Sequence, residues 1–205
     1  MNRREYLKTV VLGAMASPAL LRRLTHVDVA GTFTSTWHRW PDVRWAGPDM
    51  WANRLQDWRI RNGAVECTAF GGNRTLHCLT HRLSEDDGEF ETGVAVDIPD
   101  ASASEGQYVG WRLGAQGPFD DYRSAAAFGD GLEAGVTMDG RLFVGDATGA
   151  DRFAPTDVRK LRLRAQPEPS GYRLQLDAEG PNGTVLPAWS SAACPLATWW
   201  GPSPC

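Results

Sequence analysis

Cysteine is scarce in this sequence, with four residues among 205, which is too few for a disulfide-rich scaffold. Neither sign of charge dominates, since 21 Lys and Arg stand against 25 Asp and Glu and the formal net charge is −4. Without a basic patch, nucleic acid is not an expected partner. No apolar run reaches the roughly 20 residues that a stable membrane span requires. What remains is an ordinary globular composition, in a chain long enough to bury a core without a covalent staple.

The sequence signatures of common catalytic centres are also missing. There is no HExxH or CxxC metal motif, no Gly-x-Ser-x-Gly nucleophile elbow and no phosphate-binding glycine loop. His77 and His81 lie four residues apart, and Asp120 and Asp121 are adjacent in a loop. Solvent-facing histidines and turn-forming carboxylates explain these residues better than a metal site does. We therefore expect no complete catalytic site and no cofactor in this chain.

Residues 1–30 are typical of an export signal. Two adjacent arginines precede an aromatic residue, a leucine and a lysine, and an apolar stretch follows over residues 9–21. This order resembles the twin-arginine signal, and the apolar stretch is too short to anchor a protein in a bilayer. Cleavage could follow Ala16, Ala19 or Ala30, and a short amphipathic helix is the alternative. The pattern predicts recognition by the export machinery and a periplasmic or secreted location.

Residues 31–180 are predicted to form one antiparallel all-β domain. The clearest strand covers residues 89–98, where Phe90, Val94 and Ile98 share one face and charged or small residues occupy the other. Asn62-Gly63 predicts a two-residue hairpin turn. Further alternating segments lie at 58–67, 109–113, 132–144, 161–164 and 172–178. Many short strands without a long helical repeat favour an antiparallel β-sandwich of the jelly-roll type.

Residues 181–205 lose this alternation and are predicted to form an irregular tail. The end of the chain combines three prolines with the adjacent Trp199 and Trp200, which suits no closing strand of a sandwich. A reading-frame shift near the end of the gene would explain the change in pattern. A genuine disordered tail is the alternative.

Cys67 and Cys78 are candidates for a disulfide bond. The midpoint between them falls at Gly72-Asn73, a turn signal. An antiparallel hairpin centred there would place the two cysteines opposite each other, within disulfide reach. An oxidising compartment would permit the bond. Two free, buried thiols are the alternative.

Tryptophan is concentrated before the first predicted hairpin. Trp37, Trp40, Trp45 and Trp51 fall within 15 residues. Exposed tryptophan rings stack on sugar rings, so these four residues are the candidate ligand-binding site and carbohydrate is a candidate partner. The alternative is a long loop that packs its tryptophans over the edge of the domain.

Glu89 and Glu91 are the candidate catalytic pair for a third function. Sandwich-fold glycosidases often place two glutamates two residues apart on one face of a strand, and these residues have that spacing. They also lie on the charged face of an amphipathic strand, and a solvated sheet face explains them more simply.

Several sequence blocks together resemble a known module. They are Trp37–Asn53 continuing into Leu55–Cys67, Asn73–His77, Gly117–Arg123 and Leu132–Gly145. The chain resembles, over roughly residues 37–176, the N-terminal concanavalin A-like (laminin-G-like) region of secreted phosphatases related to the alkaline phosphatase D group. In that family the region precedes a calcineurin-like metallophosphoesterase domain, which carries the divalent metals and the chemistry.

The motifs of that catalytic domain have no match in this sequence, so no catalytic residue is carried over. The resemblance implies a non-catalytic front part of an exported phosphatase, separated from its catalytic domain by a frameshift, a gene split or a fragmentary gene. The attached phosphatase domain would then be its partner. A free-standing carbohydrate-binding module of the cell envelope and a sandwich-fold glycosidase are the alternative functions.

Overall fold

The described part of the chain covers most of the predicted β domain. The computed structural model describes residues 33–69, 71–81, 88–99, 106–119, 121–169, 171–186 and 189–190. The chain divides into two units, 1–34 and 35–205, and nearly all described residues belong to the second. The predicted export signal and residues 191–205 of the predicted tail lie outside the described residues. No helix among the described residues is long and apolar enough to cross a membrane.

Antiparallel strands dominate the described residues, which confirms the all-β prediction. In chain order the elements are β1 (Met50–Ala52), β2 (Trp58–Arg61), β3 (Ala64–Cys67), β4 (Leu76–Cys78), β5 (Phe90–Ala95), β6 (Tyr108–Gln116), α1 (Tyr122–Phe128), β7 (Asp130–Thr137), β8 (Leu142–Val144), β9 (Ala147–Thr148), β10 (Lys160–Glu168), β11 (Gly171–Glu179) and β12 (Trp189–Ser190). One four-stranded sheet has the order β12-β11-β10-β5 and another β6-β7-β8-β9. Two strand pairs, β1-β4 and β2-β3, form separate small sheets.

The two four-stranded sheets share one hydrophobic core. Strand β11 shows why: Tyr172, Leu174, Leu176 and Ala178 are buried, while the residues between them face outward. Strands β6, β7, β8 and β10 contribute their alternate residues to the same cluster. Because a strand has a side-chain period of two, each sheet presents one apolar face, and burying these two faces against each other removes both from water. The arrangement is sandwich-like.

The strand predicted at residues 89–98 buries the predicted face, but it is shorter than predicted, because β5 covers only Phe90–Ala95. Phe90, Val94 and Val96 pack against the core, and Ile98 belongs to it. Regular pairing with β10 ends at Ala95, opposite Lys160. Beyond that point the chain stays attached by a hydrogen bond from the Val96 amide to the Arg159 carbonyl, at 2.9 Å.

The Asn62-Gly63 hairpin turn is confirmed. Trp58 to Arg61 pairs with Cys67 to Ala64, and the two turn residues have positive φ angles of 51° and 75°. Asparagine and glycine tolerate this left-handed conformation better than other residues do, which is why the pair terminates β2 here.

The hairpin predicted across Gly72-Asn73 is wrong. Cys67 lies opposite Trp58 in β3, and Cys78 lies opposite Met50 in β4, so the two cysteines belong to different small sheets. Both are free thiols in the structure. The physical reason is that each strand flanking this turn finds its partner earlier in the chain, which leaves the turn as a connection between sheets.

The segment predicted as an irregular tail contains a short strand. Strand β12 pairs with β11, with Trp189 opposite Leu176 and Ser190 opposite Gln175. Pro181–Gly183 forms a short 3-10 turn before it. The backbone of β12 thus adds an edge strand to the sheet.

A short helix, α1, lies between β6 and β7 and was not predicted. Asp121 caps it, because its carboxylate accepts a hydrogen bond from the Arg123 amide at 2.7 Å. Ser124, Ala125 and Ala126 are buried on its inner side. The Thr75 hydroxyl donates to the Ala126 carbonyl at 2.7 Å, which ties the start of β4 to the helix.

We predict that Gly135→Ala destabilises the fold. Gly135 lies opposite Gly110 on neighbouring strands, and an added methyl carbon would stand 2.2 Å from the Val109 carbonyl oxygen. Because the obstacle is backbone, the two strands must separate, and we expect a loss of about 1–3 kcal/mol in the free energy of unfolding. Urea unfolding measures the loss.

Gly72→Ala is the matched control, since nothing lies within 4 Å of the added carbon. Equal stability of the Gly135→Ala and wild-type proteins would contradict the close approach of β6 and β7.

Candidate functional site

The four tryptophans predicted to bind a ligand make three different sets of contacts in the structure. The structure places Trp37 at the start of a 3-10 turn, where it is half-buried. Its indole nitrogen donates to the Ala46 carbonyl at 2.8 Å, and its ring packs over Gly47, where an added methyl carbon would stand 3.3 Å away. Trp37 therefore holds the loop in place and offers little surface to a ligand.

Trp40 and Trp45 form an edge-to-face pair. Their ring centroids are 5.0 Å apart, with an interplanar angle of 90°. Trp40 is 37% exposed, and its indole nitrogen lies 3.4 Å from the Thr36 hydroxyl. Such a pair fixes the orientation of the exposed ring. Trp40 is the tryptophan of this loop that fits the predicted stacking role.

Trp51 belongs to a different aromatic group, which joins β1, β4 and α1. Trp51 lies opposite His77 in the β1-β4 sheet. Its ring meets that of Tyr122 edge to face at 6.1 Å, and the His77 ring stacks on Tyr122 at 5.9 Å with an interplanar angle of 25°. We call Trp51, His77 and Tyr122 the α1 aromatic cluster.

Burial sets the charge of this cluster. Desolvation lowers the pKa of His77 below its ordinary value of 6.5. The imidazole is therefore neutral at pH 7 and presents an uncharged aromatic face. The guanidinium of Arg123 lies 5.8 Å from the centre of the Tyr122 ring, and the same side chain forms an ion pair with Asp121 at 2.6 Å. The rim of the cluster carries two opposite charges.

Tyr122 was missed at the sequence level. The predicted site contained only tryptophans, and residues 122–128 are too few to show a long helical repeat. The available signals were a capping Asp121, three consecutive alanines at 125–127 and Gly129 just after the helix, a pattern that favours a short helix. Only the fold brings this helix beside β1 and β4.

Of the two predicted catalytic glutamates, Glu91 is paired with arginines and Glu89 lies before strand β5. Glu91 accepts a hydrogen bond from Arg164 at 2.8 Å and lies 3.4 Å from Arg162. The hydrogen bond from Arg164 is the main cause that lowers the pKa of Glu91 below its ordinary value of 4.5. Glu89 is exposed and precedes β5. A glycosidase acid needs a raised pKa, and this environment acts in the opposite direction on Glu91.

Glu91 is one member of a ladder of ion pairs across the outer face of its sheet. Arg162 also pairs with Glu179, and Arg164 with Asp177, both at 3.1 Å. The three carboxylates and two guanidiniums alternate across β5, β10 and β11. Each carboxylate of the ladder is paired with a guanidinium, so the ladder offers no unpaired acid or base.

The described residues contain no candidate metal site. Within those ranges, no group of three or more His, Cys, Asp or Glu side chains is placed to hold a metal ion. His77 contacts aromatic rings, and His81 lies 3.0 Å from the Thr80 hydroxyl.

No known protein family, no curated protein and no solved structure matches this chain.

We predict that Glu91 contributes to stability at neutral pH and that acid removes this contribution. Its pKa is lower in the folded than in the unfolded chain, so the contribution is complete above pH 4.5 and is lost as pH falls through the lower folded value. Glu91→Gln should lower the free energy of unfolding at pH 7 by less than about 1 kcal/mol, because exposed pairs are weak. Urea unfolding at pH 7 and pH 3 measures both quantities.

The difference between the wild-type and Glu91→Gln proteins should shrink at pH 3. A difference that stays the same at both pH values would show that the carboxylate charge is not what stabilises the sheet.

Proposed function

We propose that this chain is a non-catalytic module with a concanavalin A-like, jelly-roll β-sandwich fold, of the kind that precedes the catalytic domain of exported alkaline phosphatase D-like proteins. The shared core of the two four-stranded antiparallel sheets supports the fold assignment. The sequence blocks at Trp37–Cys67 and Leu132–Gly145 carry the family assignment. Both blocks lie on described strands and turns of the domain.

The observation that carries the non-catalytic proposal is the pairing of carboxylates with arginines. Hydrolases keep acidic groups available for proton transfer or metal binding. Here the described domain commits many of its acidic groups to ion pairs at 2.6–3.2 Å: Glu66 with Arg59, Asp57 with Arg74, Glu91 with Arg164, Asp121 with Arg123 and Glu133 with Arg112. In this proposal the acidic groups stabilise the sheets, and the metals and chemistry belong to an attached phosphatase domain.

Residues 1–30 support a proposed location in the periplasm or outside the cell. A twin-arginine signal exports folded proteins. A phosphatase that must load its metals before export would need such a signal, and the module would travel with it.

The purified chain is expected to show no phosphatase activity. Hydrolysis of p-nitrophenyl phosphate and bis-p-nitrophenyl phosphate is measured with added Ca²⁺, Mn²⁺, Fe³⁺ or Zn²⁺. We expect rates equal to those of the metal ions alone. Metal-dependent hydrolysis that elutes with the chain on size exclusion would overturn the non-catalytic proposal.

Sequencing of the locus through and beyond the codon for Cys205 tests the family assignment separately. A downstream frame that encodes a metallophosphoesterase domain is the expected result. An unrelated neighbouring gene behind a clean stop codon would contradict the phosphatase assignment and leave a free-standing module.

Carbohydrate binding is a second candidate function, and one observation favours it. Trp40 presents an exposed ring that Trp45 holds edge to face. A glycosidase function has no such support, because Glu91 is held by two arginines.

A further inference from the structure

Asparagine is followed by glycine at two places in the chain, Asn62-Gly63 and Asn182-Gly183. This dipeptide is prone to spontaneous deamidation, because glycine has no side chain to shield its backbone nitrogen. Both asparagines are exposed, and both have a left-handed backbone with φ angles of 51° and 59°. The two pairs therefore start from a similar local conformation, and a difference in their reactivity must arise from what holds each turn.

Deamidation begins when the backbone nitrogen of the glycine attacks the side-chain amide carbon of the preceding asparagine. A new N–C bond forms, the proton of the glycine N–H passes to the departing amide nitrogen, and ammonia leaves behind a five-membered succinimide ring. Water then opens the ring at either carbonyl and gives an aspartyl or an isoaspartyl linkage. Ring closure requires the two reacting atoms to be aligned, so the asparagine must first rotate out of the turn conformation.

The turn at Asn62-Gly63 is held by a neighbouring loop as well as by its own strands. It closes the β2-β3 hairpin. The Asn62 amide donates to the Asp42 carboxylate at 2.9 Å, and a methyl carbon added at Gly63 would stand 3.2 Å from the Cα atom of His38. The loop before β1 therefore packs against this turn, and the bond to Asp42 opposes rotation of Asn62.

The turn at Asn182-Gly183 is held at its base and has space at its tip. The Gly180 amide donates to the Thr184 carbonyl at 2.7 Å, whereas the Thr184 amide lies 3.3 Å from the Pro181 carbonyl, which is long for a hydrogen bond. Outside the chain neighbours, nothing lies within 4 Å of a methyl carbon added at Gly183. Asn182 therefore has room to rotate above the base of the turn.

We propose that Asn182 is a deamidation site of the folded protein and that the fold protects Asn62. Conversion replaces a neutral amide with a carboxylate, so it makes the formal net charge of −4 more negative by one. The turn lies between β11 and β12, and the isoaspartyl product adds one carbon to its backbone. The proposal does not depend on the function of the module.

Storage of the purified, folded chain at pH 8, followed by peptide mass spectrometry, tests the proposal. We expect Asn182 to convert about tenfold faster than Asn62, since the hydrogen bond from Asn62 to a charged acceptor adds to the barrier. Asp42→Ala removes that acceptor and should raise the rate at Asn62 about tenfold, with the rate at Asn182 unchanged. Asn182→Gln should remove the main acidic species that ion-exchange chromatography separates from the stored protein.

Storage in urea is the matched control, because the unfolded chain keeps both Asn-Gly sequences and loses both turns. In urea the two asparagines should convert at similar rates. Thermal unfolding checks that each variant is folded. The proposal is overturned if Asn182 stays intact or converts no faster than Asn62 in the folded chain, if Asn182 keeps the same lead in urea, or if a folded Asp42→Ala leaves the rate at Asn62 unchanged.

Discussion

The mutual burial of two apolar sheet faces is the constraint on which the rest of the structure depends. Leu161, Leu163 and Ala165 of β10 and the alternate residues of β11 face the buried residues of β7 and β8 in one cluster. Removing this apolar area from water is the main favourable term in folding such a domain. The strand period then forces every second residue outward, which places the arginines and carboxylates on the outer faces.

The candidate binding surfaces arise where this regular pattern stops. The sheets present ion-paired outer faces, whereas the aromatic residues of the candidate surfaces lie on the small β1-β4 sheet, on the loop before it and on α1. Scaffold strands are constrained by packing, and connecting segments are freer to carry exposed side chains. The exposed Tyr122 follows this division, since it lies in the connection between β6 and β7.

The sequence predicts the regular part of the fold well and the irregular part poorly. Alternation in β11 and the Asn62-Gly63 turn are local signals, and the structure confirms them. The hairpin expected between Cys67 and Cys78 failed because pairing is not local: β3 pairs back to β2, and β4 pairs back to β1. Tyr122 was missed for the same reason, since its contacts with Trp51 and His77 join residues 45 or more positions apart along the chain. The jelly-roll topology and the phosphatase relationship stay predictions.

Hydrogen exchange of the folded Leu163→Ala protein tests the shared core most directly. Leu163 is fully buried in β10, and its truncation should cost about 2–5 kcal/mol. If both sheets form one core, the amides of β7 and β8 must lose protection together with those of β10 and β11. Loss of protection confined to β5, β10 and β11, with β7 and β8 unchanged, would contradict the account.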